Sequence, residues 1–320
     1  MNNSNGNLQG RRGSKSNRDG RKRRRRRWPW LLLLVVLCLI GFLLWDVYRR
    51  VSTAFEVMHV PIGVEVPDVR EEEGLPPMAL GDDPFSVLIL GTDGGRSDAI
   101  MVATVNPTLD STYLVSIARD TMVDIPGFWT TRINHAFAYG GIDLAVTTVQ
   151  NLLNIPIDYH ATLDMHAFPT LVDAFGGVTV YNNTVDFSLG GYHFPLGMIT
   201  LTGSQAFYYA RMRMDDPRGD HGRAERQRDI LSAMAAELAG VTVVTRYQQI
   251  LDSVGTSMAT NVMINEMVTI SIGYNRALRN ITNLSLSAPG QIINGMYLIP
   301  IPEEQRLEMS QRLRNHLELE

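Results

Sequence analysis

One apolar run stands apart from the rest of the chain: Trp28 to Trp45, WPWLLLLVVLCLIGFLLW. As a helix, eighteen residues rise about 27 Å, enough to cross a thin hydrocarbon core, and tryptophans at both ends suit the two membrane interfaces. This predicts a transmembrane helix over 28–45. From Pro84 onward the apolar positions come in short groups. Strands are predicted over Ser86–Leu90, ending at Gly91-Thr92-Asp93, over Ala99–Val105, turning at Asn106-Pro107, and over Tyr113–Ile117, ending at Arg119-Asp120. Their short connections predict an antiparallel start. A helix over Asp143–Leu153 closes at Ile155-Pro156, a strand follows over Tyr159–Leu163, and a helix over His166–Phe175 stops at Gly176-Gly177 before a strand at Val178–Val180. Thr202 is positioned to cap a helix reaching Tyr209. Further helices are predicted over Gly222–Leu238, Arg246–Val254, Asn265–Leu278 and Glu303–Leu317, with strands over Leu284–Ser287 and Tyr297–Ile301. Hairpins mixed with crossovers predict a single α/β domain: a three-layer α-β-α arrangement with a mixed, largely antiparallel central sheet, behind the N-terminal membrane helix.

Charge gives this picture a direction. Residues 1–27 hold eleven Lys or Arg and one acid, whereas the other 293 residues hold 18 basic and 32 acidic residues. The basic run Arg21–Arg27 directly precedes the apolar span, so the positive-inside rule leaves a disordered tail, 1–27, in the cytoplasm and everything after Asp46 outside. Trp45-Asp46-Val47-Tyr48 does not resemble a small-residue cleavage site, which favours an uncleaved signal anchor over a cleaved signal peptide. The tail has no aromatic residue before Trp28, and topology plus anionic lipid account for its charge without a nucleic-acid partner. Residues 46–83, rich in Pro and acid, are expected to form an extracytoplasmic linker, with a reach of roughly 30 Å over 52–83. The catalytic domain is expected over 84–320. The only cysteine, Cys38, lies in the span, so the outer domain has no disulfide and depends on its core.

Three clusters carry the candidate chemistry. Gly91-Thr-Asp-Gly-Gly-Arg-Ser-Asp98 sits at a strand end, where Asp93 and Asp98 flank a Gly-rich turn that could bring two carboxylates to one hard cation such as Mg²⁺; as a bare motif it is also an ordinary hairpin turn. Ser116-Ile-Ala-Arg-Asp-Thr121 again places charge abruptly at a strand end. The densest cluster is Tyr209-Ala-Arg-Met-Arg-Met-Asp-Asp-Pro-Arg-Gly-Asp-His-Gly-Arg-Ala-Glu-Arg-Gln227. If extended there, Arg211 and Arg213 share one face. Arg223, Arg226 and Gln227, at i, i+3 and i+4, are expected to share a helix face in the first turns, where the dipole favours an anion. Arg228 is expected in solvent or bridged to an acid. Guanidinium forks fit phosphate oxygens, so the three clusters together point to a di- or polyphosphate bound with a metal. The chain lacks Gly-x-x-x-x-Gly-Lys-Ser/Thr, His-Glu-x-x-His and Gly-x-Ser-x-Gly, which removes the common nucleotide-binding, zinc-protease and serine-hydrolase readings. His135 is expected to pack or cap.

The motifs VLILGTD…RSD, SIARDT, RINHAFAYGG, LVDAFGGVTV and YARMRMDDPRGDHGRAERQR, spread from Ser86 to about Ile301, resemble the LytR–CpsA–Psr family of cell-envelope phosphotransferases. The resemblance implies a sheet between helices with an apolar groove for a prenyl chain. It implies transfer of a glycopolymer with its phosphate from undecaprenyl pyrophosphate to peptidoglycan, at the 6-hydroxyl of N-acetylmuramic acid, with release of undecaprenyl phosphate. By similarity Arg96, Arg119, Arg211, Arg213, Arg223 and Gln227 clamp the pyrophosphate, Asp93 and Asp98 hold Mg²⁺, and Asp220 supports the arginines. Asp98, Arg119 and Asp220 are then the catalytic set, with Asp98 the first candidate for the base. The partners implied are the lipid-linked polymer, peptidoglycan and the membrane. Ala99, Ala118 and Val123 depart from residues common in the family (Thr, Pro and, in some members, Arg). A pyrophosphate hydrolase and a non-catalytic lipid-pyrophosphate binder stay open beside the transferase.

Overall fold

The computed structural model describes residues 69–238 and 258–319, with scattered positions between 45 and 66. The basic tail, the span over 28–45 (Trp45 apart) and the helix expected over Arg246–Val254 lie outside the described residues. Among the described residues no helix is long and apolar enough to cross a membrane.

Phe85–Asp93 (β1) and Arg96–Asn106 (β2) form an antiparallel hairpin. Its two-residue turn puts Gly94 and Gly95 at φ 58° and 82°, a left-handed pair that a Cβ would strain. Ser111–Ile117 (β3) runs antiparallel to β2. Met122–Asp124 (β4) and Thr130–Arg132 (β5) make a small hairpin that the apolar pattern does not show. Asn134–Leu153 (α1) is kinked at Gly140 and Gly141, so the start expected at Asp143 is only its second limb. Tyr159–Asp164 (β6) then lies parallel beside β1. Phe168–Phe175 (α2) ends where Gly176 turns left-handed at φ 91°. Two small antiparallel pairs follow: Val178–Asn182 (β7) with Gly197–Leu201 (β10), enclosing Phe187–Leu189 (β8) with Tyr192–Phe194 (β9).

Thr202 caps Gly203–Arg211 (α3) in a capping box with Gln205. Asp220–Leu238 (α4) is the long helix, and Met258–Thr260 (β11) joins β6 antiparallel. The single helix expected over Asn265–Leu278 is two, Ile264–Gly273 (α5) and Asn275–Arg279 (α6). The break falls at Tyr274, fully buried against Phe85 with its hydroxyl donating to the Asp83 carbonyl at 2.7 Å. Ile281–Leu286 (β12) lies parallel to β3, Gln291–Ile293 (β13) and Met296–Leu298 (β14) form a hairpin, and Glu303–His316 (α7) is the last helix.

The main sheet has the order β11-β6-β1-β2-β3-β12 and is mixed, with antiparallel pairs at its centre. Alternation along its strands fills both faces. Leu88, Leu90, Val102 and Val115 pack on Val146, Val149 and Leu153 of α1 and Leu313 of α7. Met101, Ala103 and Leu114 point the other way, toward Leu231 of α4. Beyond them α2, α3 and α4 share their own core around Phe168, Val172, Tyr209 and Ile230. The expected three layers and mixed sheet are therefore present.

Ser52–Glu320 forms one compact unit. Parts of the stretch expected as a linker are built into it. Met58 is buried with the α2–α4 core, the Val60 amide donates to the Thr260 carbonyl at 2.8 Å, and the Arg70 guanidinium meets Asp158 at 3.1 Å. Pro and acid give 52–83 the composition of a linker, but among its described residues Met58, Val60 and Arg70 are tied into the domain.

Candidate active site

The β1–β2 turn and the end of β3 lie at the same end of the three central antiparallel strands, and the charge gathers there. Asp98, two residues into β2, accepts from Arg119 Nη1 at 2.8 Å. Arg119 follows β3, and its Nε lies 3.7 Å from Asp120, whose other oxygen is 3.4 Å from Arg132 Nε. From the α4 side, Arg223 and Gln227 line the same pocket as Asp98 and Arg119. Both sit one helical turn apart, so one face of α4 looks into the pocket.

A second, apolar cavity adjoins it. Ile89, Met101, Leu163, Met165, Phe168 and Leu231 line this cavity between the sheet and α2–α4. Ala99, Met101 and Gln227 belong to both walls. The small Ala99 side chain lies at the junction of the two. Gly91 lines the apolar cavity on β1, and a Cβ there would come 3.0 Å from Met165 Sδ.

The other expected residues are spread around this centre. Asp93, at the tip of β1, is 2.6 Å from Arg211 Nη2 and 3.3 Å from His166 Nε2. The Arg211 guanidinium also lies 4.6 Å over the Phe207 ring. Arg96 is exposed beside the turn. Arg211 ends α3 while Arg213 lies beyond it, so the extended stretch that would put both on one face is not present; Arg213 lines a third cavity with Asp120, Arg218 and Tyr297. Asp220 opens α4, but its side chain lies outside the described residues. Val123, at a position where some family members have Arg, is buried in the core.

Two expectations for α4 are overturned. Arg226 does not join Arg223 and Gln227. It is buried, donating to Asp216 Oδ2 at 2.6 Å, the Tyr209 carbonyl at 3.1 Å and the Met212 carbonyl at 2.5 Å. The helix is sandwiched between the sheet and α3, so one step of rotation from Gln227 to Arg226 changes a pocket residue into a core one. Arg228 is not in solvent either. It is buried, and its Nε and Nη1 have no hydrogen-bond partner. Burial lowers its pKa, only partly opposed by Glu225 and Asp229. Burial likewise raises the Asp229 pKa to about 6, helped by Glu225.

Asp216 is the hub of the Arg-rich loop. Its side chain is fully buried; it accepts from Arg226 and from the Arg218 amide at 2.8 Å. Burial opposes its charge, but the hydrogen bonds from Arg226 and Arg218 outweigh burial and hold its carboxyl below the usual range. Arg218 also bridges Glu225. Sequence spacing carries no signal for this lock, nor for His166, Arg132 and Tyr297 near the site. His135 packs as expected: its Nδ1 meets Thr131 Oγ1 at 3.0 Å, and burial, then Arg96 and Arg132, lower its pKa.

Among the described residues no group of three or more His, Cys, Asp or Glu could hold a metal unaided. Asp93 ends β1 and Asp98 lies two residues into β2; both are hard oxygen donors, and because Mg²⁺ takes one or two carboxylates beside phosphate oxygens and water, they fit that ion only together with a phosphate ligand. The arrangement joins an apolar cavity to a shell of arginines, which suits an amphiphile with an anionic head.

The chain is similar to known proteins over most of its length. The LytR_cpsA_psr family model matches residues 64–315. The chain is 38% identical over 297 residues to a polyisoprenyl-teichoic acid–peptidoglycan teichoic acid transferase, TagU, of Halalkalibacterium halodurans, covering 90% of this chain and 96% of that one. The crystal structure of B. subtilis TagU superposes with a TM-score of 0.62 at 36% identity, covering 73% of this chain and 97% of that one. TagT bound to LIIa-WTA superposes with a TM-score of 0.68 at 28% identity, covering 81% and 100%. The family model over most of the chain and relatives of this similarity show that the chain belongs to the LytR_cpsA_psr family.

Proposed function

We propose that the protein transfers a glycopolymer with its phosphate from a polyprenyl-pyrophosphate carrier to peptidoglycan, at the 6-hydroxyl of N-acetylmuramic acid. One observation carries this reading: the apolar cavity behind Leu163 and Leu231 shares Ala99, Met101 and Gln227 with the pocket of Asp98, Arg119, Arg223 and Gln227, so the two are neighbours. A prenyl tail and a diphosphate head are joined in the same order. Relatives named as teichoic acid transferases acting on peptidoglycan support the reaction class.

In this reading Arg119, Arg223 and Gln227 bind the diphosphate, with Arg96, Arg211 and Arg213 at its margins. Asp98 and Asp93 now hold Arg119 and Arg211 in place, and an incoming diphosphate takes over those guanidinium groups. The acceptor oxygen forms a bond to the sugar-bearing phosphorus. The bond from that phosphorus to the bridging oxygen breaks, and polyprenyl phosphate leaves with the electron pair. Asp98 is the first candidate to take the hydroxyl proton. Mg²⁺, held by Asp93 and Asp98 with phosphate oxygens, would add positive charge beside the diphosphate. Phosphoryl transfer depends mainly on such positioning and charge neutralisation. Asp220 is proposed to support the arginines. Residues 28–45 anchor the chain, with the catalytic domain outside the membrane.

The test is binding of a polyprenyl pyrophosphate in the presence of Mg²⁺. Arg119→Ala is expected to weaken it at least about tenfold; equal affinity for both proteins would remove Arg119 from the site.

A further inference from the structure

We infer that the exposed rings of Phe128, Trp129 and Tyr139 dock on the outer leaflet of the membrane and hold the Arg119 pocket at the level of the lipid headgroups. The inference rests on the proposed function, with residues 28–45 as the anchor and this domain outside. Phe128 is 46% exposed, Trp129 60% and Tyr139 37%, although each ring lies against the other two. The Phe128 and Tyr139 rings stack at 4.7 Å, and the Trp129 ring sits 6.1 Å from the first and 5.8 Å from the second. Rings that share contacts yet stay this open form one apolar patch, and such a patch marks an interaction surface. Its base is stiff. The patch joins the turn between β4 and β5 to the first limb of α1, and Ile125, Ile133 and Ala136 beneath it are buried in the main core. Gly127 takes φ 77°, and the Phe128 amide closes the turn onto the Ile125 carbonyl at 2.9 Å.

The chemistry of the patch selects a bilayer surface. From Ile125 to Ile142, Arg132 is the only Lys, Arg, Asp or Glu, so little charge has to be desolvated when the rings sink in. The acid at the rim, Asp124, accepts from the Thr130 hydroxyl. After burial, Arg96 and Arg132 lower the pKa of His135, whose ring lies 5.5 Å from Tyr139, so two cations stand on the pocket side of the patch. Trp and Tyr, with an apolar body and a polar tip, gather at membrane interfaces, and arginines beside them suit lipid phosphates.

The direction of the chain gives a second, independent pointer. β1 and β3 run the same way, each antiparallel to β2, and the ring-bearing turn follows the end of β3. Across the sheet, His59 pairs in parallel with Thr260, β11 is antiparallel to β6, and β6 is parallel to β1. The chain therefore passes His59 running away from the end where Asp93 stands, so it arrives from the end that also carries the rings. Only residues 46–57 separate Trp45 from Met58, a reach of at most roughly 45 Å. A lipid diphosphate carries its head at the leaflet surface. Rings docked there bring the Arg119 pocket to it.

The test uses the full-length chain reconstituted in vesicles of phosphatidylcholine and phosphatidylglycerol. Trp28, Trp30 and Trp45 are replaced by Phe, which leaves Trp129 as the only tryptophan. Its emission is expected to shift to the blue and to lose at least about half its intensity when the lipids are brominated near the headgroup end of the acyl chains. The variant Phe128→Ser, Trp129→Ser is then assayed for transfer from a long-chain donor embedded in the vesicles and from a short, soluble donor. Its KM for the embedded donor is expected to rise at least about fivefold, while the soluble donor is used as by wild type, which also reports an intact fold and site. Trp129 unquenched by brominated lipid, or an unchanged KM for the embedded donor, overturns the inference and leaves the proposed function standing. Quenching of Trp129 by soluble peptidoglycan fragments but not by lipid also overturns it and assigns the rings to the acceptor glycan. A wild-type chain that does not float with the vesicles, or that transfers from neither donor, overturns the proposed anchor or the proposed function respectively, and this inference with it.

Discussion

Replacing Arg226 by Met should unfold the Arg-rich loop rather than empty a phosphate site. The wild-type guanidinium is 3% exposed and its carboxylate partner Asp216 fully buried. Removing one member of such a pair leaves a buried charge, at a cost of about 3–5 kcal/mol. The Tyr209 and Met212 carbonyls lose their donor in the same step, which keeps the estimate at the upper end. For a domain of this size the loss corresponds to a fall in Tm of about 6–20 °C. Thermal unfolding of the full-length protein, followed by circular dichroism, measures it. The double variant Arg226→Met, Asp216→Leu removes both charges and should recover at least about 1 kcal/mol of the loss. A stability change below about 1 kcal/mol, together with lost affinity for a polyprenyl pyrophosphate, would refute the structural role and return Arg226 to the phosphate clamp.

Other consequences follow from single contacts. His316 is buried between the Thr104 and Ser111 hydroxyls, and burial lowers its pKa to about 4 from the ordinary 6.5. The unfolded chain binds this proton near pH 6.5 and the folded one only near 4. Its contribution is thus complete above pH 6.5 and falls as the pH drops toward 4, and His316→Gln should flatten that part of the urea-midpoint profile. Gly222→Ala and Gly203→Ala put a Cβ into the Asp216 carboxylate and the Pro169 carbonyl respectively, and each should lose about 1–3 kcal/mol in urea unfolding despite the better helix propensity of Ala. Ala99→Phe should fill the junction of the apolar and charged pockets. It is expected to weaken a long-chain polyprenyl pyrophosphate at least about tenfold by titration while sparing a soluble sugar diphosphate.

The parts of the fold that could be read from sequence are those that local patterning decides. β1, β2 and β3 are buried on both faces and form long apolar runs; Gly176 and Thr202 mark helix ends through backbone conformation and capping. Short strands such as Met122–Asp124 and Thr130–Arg132 have too few residues to show a period. The site divides in the same way. Asp98 and Arg119 stand at strand ends that alternation locates, and they meet at 2.8 Å as the shared end of the central strands requires. The Arg226–Asp216 lock was hidden, because i, i+3 spacing says that residues are neighbours on a helix but not which layer each faces. Tyr297 and Arg132 join the site from hairpins distant in sequence, which no spacing rule reaches.

The central claim is tested most directly by transfer itself. A polyprenyl-pyrophosphoryl sugar, a peptidoglycan fragment and Mg²⁺ are incubated with the full-length protein, following release of polyprenyl monophosphate and the mass of the acceptor. The account predicts release coupled to an acceptor that gains a phosphosugar, and a loss of at least about a hundredfold in rate with Arg119→Ala and with Asp98→Ala. Release without any change in the acceptor, or tight donor binding with no release, would contradict it.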